Sequence, residues 1–446
     1  MPTDTRPAVE DESFDEFDPG LVKLLMIAAL AGCLVGLVGG AFHWSLVKGS
    51  AAFLRFLEDL KHNGVSAVPG WLIAALIAGL SVGVARWLVK FAPTAAGSGV
   101  QHVEAVMREQ AQPANLVVLP IKFVGGLLSM IPGLALGREG PTIQMAGVIG
   151  TQCGRLFGLN QSDRSLLYTA IAGSGLSVAF NAPLSGAAFV IEEVARRVTV
   201  RRVLATLTAV ATAMAVYRGL FGNLHDFIVG AFHNATGLEL VLYLLLGMLM
   251  GLLAVLYNRG VLLGLNTFSA IAPNTSPWFK AGIVGALIGL IAYYQPQWVG
   301  GGELQVNLLL AGHYGPQALI ILLLVRWFLG PLSYSMGTPG GLFAPLLLVG
   351  ATIGALYAHG LNAVADSAFL VNPAAFALVA MAAFFTGVVR APVTGVLLIC
   401  EMSGSVTLMV PLLLSSVGAA VVASLLRGEP IYDSLRARMG TSASRN

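Results

Sequence analysis

Glu139 stands where a carboxylate is expensive. It lies in Gly-Arg-Glu-Gly-Pro, residues 137–141, directly behind the apolar run Leu116–Leu136, and Arg138 precedes it. Lys122 interrupts that same run, and Glu193 ends Ala-Ala-Phe-Val-Ile-Glu-Glu just before the basic cluster Arg196, Arg197, Arg201 and Arg202. An ionisable side chain at membrane depth is a functional residue by default. Burial opposes the charged carboxylate while neighbouring N–H groups favour it, and the opposed effects leave Glu139 able to change protonation near neutral pH.

Composition sets the surroundings. Of 446 residues, 56% are hydrophobic and 11% charged, against roughly a quarter charged in soluble domains. Mean hydropathy is +0.80. Such a chain dissolves in lipid. A net charge of +3 spread over it does not suggest nucleic acid.

Apolar segments recur along the chain: Leu21–Trp44, Val68–Phe91, Leu116–Leu136, Leu240–Tyr257, Phe279–Tyr294, Leu319–Leu329, Pro345–Leu356, Pro373–Phe385 and Leu408–Leu426. A spanning helix needs about 20 apolar residues, and several of these runs are shorter or cut by Gly and Pro. Irregular backbone at membrane depth survives only where protein or a watery cavity receives its polar groups. The expectation is a polytopic all-α protein with an internal pathway.

Residues 1–20 hold seven carboxylates and read as a solvated tail, with no basic leader before Leu21. The C-terminal segment 427–446 is short and basic. The positive-inside rule puts the 196–202 cluster and Arg427, Arg436 and Arg438 on the cytoplasmic side. Cys33, Cys153 and Cys400 lie in apolar surroundings and suggest no disulfide framework.

The chain repeats itself. Ala182, Pro183, Gly186 and Glu192 recur 209 positions on as Ala391, Pro392, Gly395 and Glu401, and Gly-Arg-Glu-Gly-Pro is echoed 204 positions on by Gly-Leu-Phe-Ala-Pro at 341–345. Two membrane halves, 21–222 and 236–426, in matching order are the mark of a repeated transporter fold.

Glycine-rich turns leading into helices expose N–H groups that no preceding turn satisfies, and such an N-terminus carries roughly half a positive charge. Three candidates begin at Gly97, Gly137 and Gly340. In lipid they let a chain hold an anion without a bare cation that would bind too tightly for release. Close helix packing is the other use of such glycines.

Taken together, Gly-Ser-Gly-Val-Gln at 97–101, Gly-Arg-Glu-Gly-Pro at 137–141 and Gly-Leu-Phe-Ala-Pro at 341–345 resemble the three signature segments of the CLC chloride channel and transporter family. The likeness continues through Leu-Pro-Ile-Lys-Phe around Lys122, Phe-Asn-Ala-Pro-Leu-Ser-Gly at 180–186, Glu192-Glu193 and Gly-Glu-Pro-Ile-Tyr-Asp-Ser-Leu around Tyr432. The resemblance implies a homodimer in a bacterial plasma membrane, both termini cytoplasmic, each subunit built from two inverted repeats around one anion pathway. It implies a central chloride held by the hydroxyls of Ser98 and Tyr432 and the N–H groups of Leu342 and Phe343, with Gly97 and Ser98 at an inner position. Glu139 then occupies the outer anion position when charged and swings away when protonated. No cofactor is implied.

A second, cytoplasmic glutamate marks the family's proton-coupled members, and Glu193 matches it, with Glu104 as its usual carboxylate neighbour. The bland alternative is a Glu193 ion pair with Arg196 or Arg197, in a passive channel. Retention of Ser98 and Tyr432 favours chloride over nitrate or fluoride. Gln101 departs from the proline usual in relatives and is expected to loosen the start of that helix. Lys122 is expected to attract anions and stabilise nearby carboxylates. An intramembrane enzyme is the competing class. A metalloprotease would need His-Glu-x-x-His spacing, which does not occur, and every aspartate falls in a tail or polar stretch, Asp226 included. A Ser98–Lys122 pair stays open in sequence, with anion binding the reading that accounts for the glycine turn at Ser98.

Overall fold

Apolar runs bounded by Gly and Pro become helices here, and helices are all the regular structure found among the described residues. The computed structural model describes residues 19–63, 68–194, 199–223, 226–235, 237–364 and 370–443. The first half runs α1 (Pro19–Asn63), α2 (Gly70–Leu88), α3 (Val100–Met107), α4 (Val118–Met130), α5 (Glu139–Leu156), α6 (Gln161–Phe180), α7 (Pro183–Phe189) and α8 (Val200–Phe221). The second half follows the same order with α9 (Leu238–Ala270), α10 (Pro277–Tyr294), α11 (Glu303–Leu310), α12 (Pro316–Ser335), α13 (Phe343–Val364), α14 (Pro373–Val389), α15 (Pro392–Ser403) and α16 (Met409–Leu425). A last helix, α17 (Ile431–Ala443), follows both. Seven described helices are long and apolar enough to cross a membrane.

Local chemistry repeats with the order. Asn160 and Asn372 cap α6 and α14, each accepting bonds from first-turn N–H groups. Asn181 and Arg390 end those two helices in the left-handed conformation, at φ 51° and 73°. The 45 residues of α1 span about 68 Å at 1.5 Å per residue, far more than a 30 Å hydrocarbon core.

The helices sort by what surrounds them. α1 packs on α8, α9 on α16 and α2 on α10, all with one apolar flank left exposed. α5 and α6 are buried almost all round, and α13 and α14 lie similarly deep. This explains which helices escape a hydropathy reading. α5 and α6 are rich in Gly, Ser, Thr and Gln because protein, not lipid, touches them. The apolar run Leu116–Leu136 shortens to α4, and its last residues become the turn that delivers Glu139.

Candidate ion site

Gly137 and Gly341 join the halves. Each donates its N–H to the other's carbonyl, at 2.9 and 2.7 Å, in an isolated antiparallel bridge. The bridge sets the N-termini of α5 and α13 side by side, and Glu139 sits at their meeting point with no exposure. Its Oε1 accepts the N–H of Ala344, while Oε2 has no hydrogen-bond partner. The N–H that Glu139 engages is that of Ala344, next in the chain to Leu342 and Phe343, whose N–H groups are expected at the central anion position.

The carboxyl folds back over Gly137: a Cβ on that glycine would lie 2.2 Å from both carboxylate oxygens. Ser98 comes from the other side. Its Oγ would be 2.2 Å from a Cβ on Gly140, so the serine lies against the first turn of α5. The Tyr432 hydroxyl from α17 faces it, and the Tyr432 ring packs edge-on against Phe343 at 5.6 Å. Both hydroxyls are fully buried, and apart from each other neither has a hydrogen-bond partner. Buried polar atoms rarely stay unsatisfied, so this cluster of orphaned oxygens beside two helix N-termini calls for a ligand.

Lys122 does something the sequence did not indicate. Its ammonium donates to the carbonyls of Gly97 and Ser98 at 2.7 and 3.0 Å, so it holds the glycine turn rather than a carboxylate. That turn places Gly99 in the left-handed conformation, φ 92°, as the N-cap of α3. The Ser98 N–H donates to the Tyr334 hydroxyl at 3.4 Å. Gln101 is buried within a regular α3, so the missing proline leaves the helix start intact.

Arg138 turns away from Glu139. Its Nε donates to the Ala179 carbonyl at 2.6 Å, and its other nitrogens pair with Asp226 at 3.2 Å and Glu303 at 2.7 Å. Asp226, expected to be solvated in a polar loop, is instead drawn onto a buried guanidinium; only contacts distant in sequence reveal this. Glu104 is buried and pairs with Arg436 of α17 at 3.1 Å. Glu193 lies in the π turn Val190–Val194, but its side chain is outside the described residues, as are Arg196 and Arg197. No cluster able to hold a metal occurs among the described residues.

Short helices broken at membrane depth, two inverted halves, and a buried carboxylate where their helix N-termini meet define a multi-pass membrane protein with an internal ion pathway. Residues 80–424 match the voltage gated chloride channel family, and the chain belongs to that family. Among curated relatives, the H(+)/Cl(-) exchange transporter ClcA of Vibrio parahaemolyticus is 36% identical over 421 residues, covering 93% of this chain and 89% of the relative. ClcA of Klebsiella pneumoniae is 34% identical over 429 residues, covering 94% and 89%. Among solved structures, a slow cyanobacterial Cl-/H+ antiporter superposes with a TM-score of 0.88 at 31% identity, covering 95% of this chain and 98% of that one. A CLC-type fluoride/proton antiporter at 19% identity and TM-score 0.76, covering 92% and 97%, shares the fold.

Proposed function

We propose that this protein exchanges chloride for protons across the membrane, with Glu139 as both gate and proton carrier. The observation that carries the reading is the seat of Glu139: a carboxylate accepting the Ala344 N–H where α5 and α13 begin, with its second oxygen unpartnered. An anion reaching that seat must displace the carboxylate, and a proton makes displacement easy because a neutral carboxyl competes poorly for the N–H groups. Chloride then passes the position that the carboxylate had filled. When Glu139 gives up its proton on the outer side, it returns to the seat and closes it.

Inside, Ser98 and Tyr432 offer hydroxyl donors to chloride, with the N–H groups of Leu342 and Phe343 above and those of Gly97 and Ser98 below. Glu193 serves as the cytoplasmic proton glutamate, beside the basic segment that begins at Arg196. The names of the curated relatives support the coupled reading. We take the two membrane halves as 21–222 and 236–426, flanked by a cytoplasmic acidic tail and C-terminal segment. The subunit is read as half of a homodimer in a bacterial plasma membrane.

Purified protein in chloride-loaded vesicles tests this reading. A chloride gradient should drive protons uphill, and Glu139→Ala should stop proton movement while leaving chloride flux. Chloride flux without proton movement in the unmodified protein would make Glu139 the gate of a passive channel.

A further inference from the structure

The second half repeats the glycine turn before α3 but leaves it chemically open. α11, like α3, is eight residues long, and it begins 203 positions later. Gly300 and Gly302 precede it with φ 82° and 113°, as Gly97 and Gly99 precede α3 with φ 63° and 92°. Lys122, which closes the first turn, is matched 204 positions on by Arg326 of α12.

The two cations are spent differently. Lys122 gives its protons to the carbonyls of its turn. Arg326 is 1% exposed, yet only Nη1 has a protein acceptor, the Trp298 carbonyl at 3.3 Å. Its Nε and Nη2 have none, and Nη2 lies 3.1 Å from where a Gly302 Cβ would be. Leaving a buried charged donor unpaired is expensive, and an ion is one of the few things that resolves it.

A second set of donors meets Arg326 there. Gly302 is the N-cap of α11 and no side chain caps the helix. The first helical bond runs from the Val306 N–H to the Gly302 carbonyl at 2.9 Å, so the N–H groups of Glu303, Leu304 and Gln305 have no helical acceptor. The carbonyls of the approach are tied up elsewhere: Gln305 Nε2 donates to those of Gln297 and Val299 at 2.9 and 3.1 Å. A Cβ on Gly300 would meet nothing within 4 Å, so the turn is open on that side. Two carboxylates lie near the turn, Glu303 and Asp226, and both are held by Arg138, at 2.7 and 3.2 Å.

We infer that Gly300–Gly302, the first turn of α11 and Arg326 form a second anion site, separate from Ser98 and Tyr432, for a small monovalent anion such as chloride. One guanidinium and bare backbone suit a compact anion and not a phosphate. The site lies near the start of α5 that carries Glu139, because Glu303 of the same turn contacts Arg138. Its role as a staging position for chloride arriving from outside rests on the exchange reading; the binding itself does not.

Bromide, detected by anomalous diffraction in crystals of the unmodified protein, is the direct probe. A peak within hydrogen-bond distance of Arg326 Nη2 and the first N–H groups of α11 is expected. Bromide confined to the Ser98 and Tyr432 region overturns the site whether or not the protein couples protons. In vesicles, Arg326→Gln should raise the external chloride KM by about tenfold, the loss of one good charge-assisted contact, with the internal KM unchanged. Arg326→Lys, which keeps the charge, should recover part of that loss. An external KM that stays the same in a folded Arg326→Gln protein also overturns the site. If that variant does not fold, the bromide result alone decides.

Discussion

Glu192 and Glu401 cap each other's halves. The Glu192 carboxylate accepts the N–H groups of Val393 and Thr394 and the Thr394 hydroxyl, at 2.8–2.9 Å, at the start of α15. Glu401 accepts the N–H groups of Leu184 and Ser185 and the Ser185 hydroxyl, at 2.6–2.9 Å, at the start of α7. Neither α7 nor α15 has a side-chain cap from its own N-cap residue. Each helix therefore borrows a carboxylate from the end of its counterpart, and its positive N-terminus meets a negative charge.

Because the two caps are geometrically alike, they should weigh alike. Glu192→Ala and Glu401→Ala are each expected to cost about 2 kcal/mol, the upper range for losing a cap, and to lower the thermal unfolding midpoint by similar amounts. The Gln variants, which keep one oxygen acceptor, should fall between. Thermal unfolding in detergent measures this, and a large effect from one residue with none from the other would refute the reciprocal arrangement.

Gly137 makes room for the Glu139 carboxyl by lacking a side chain. Its backbone φ is not positive, so alanine is tolerated there, but its Cβ would land on both Glu139 oxygens. Overpacking of about 1–3 kcal/mol would empty the seated state by roughly ten- to a hundredfold. Gly137→Ala should thus act like removal of the Glu139 carboxyl: chloride flux is kept and protons carried per chloride fall. Parallel chloride and proton flux traces check it, and unchanged coupling would show that the carboxyl does not need this seat.

Lys122→Met strips a buried turn of its donor. Two carbonyls lose charge-assisted partners, at a cost of about 3 kcal/mol, and the geometry of Gly97 and Ser98 goes with them. The expected signature is weaker chloride binding with proton coupling retained in whatever flux remains. Lys122→Arg should not rescue, since a planar fork cannot replace a compact ammonium between two adjacent carbonyls. Chloride titration by calorimetry separates this from an effect on the gate.

What could be read in the sequence was what the backbone demands locally. Gly-Arg-Glu-Gly-Pro and Gly-Leu-Phe-Ala-Pro announce themselves because a helix starting at membrane depth needs glycine for close approach and proline where no N–H is missed. The matched Glu192 and Glu401 were visible as a repeat, but that each caps the other's helix was not, since a 209-residue offset says nothing of who touches whom. The extent of α5, and α6 altogether, escaped because burial by protein removes the need for apolar side chains. Asp226, Glu303, Ala344 and Arg326 escaped for a related reason: their partners lie tens to hundreds of residues away, and a polar residue beside a turn looks solvated until its partner is known.

The C-terminal helix is tied to the site by an ion pair whose carboxylate is buried. Arg436 donates to Glu104 Oε2 at 3.1 Å and also pairs with Asp433, which Arg108 approaches at 3.4 Å. Glu104 belongs to α3, whose start carries Ser98, and Arg436 lies one turn past Tyr432. The pair therefore helps tie together the two elements that carry the hydroxyls. Truncating one partner of a buried pair costs on the order of 3 kcal/mol, and here the cost falls on the seating of α17. Arg436→Ala should weaken chloride binding and expose α17 to protease while the remaining helices stay protected. Glu104→Gln keeps an acceptor oxygen facing Arg436 and should be milder. Limited proteolysis with and without saturating chloride measures it: chloride should protect α17 in both variants, because an anion held between Ser98 and Tyr432 ties the same two helices together. Equal cleavage with and without chloride would mean that Tyr432 does not hold the anion.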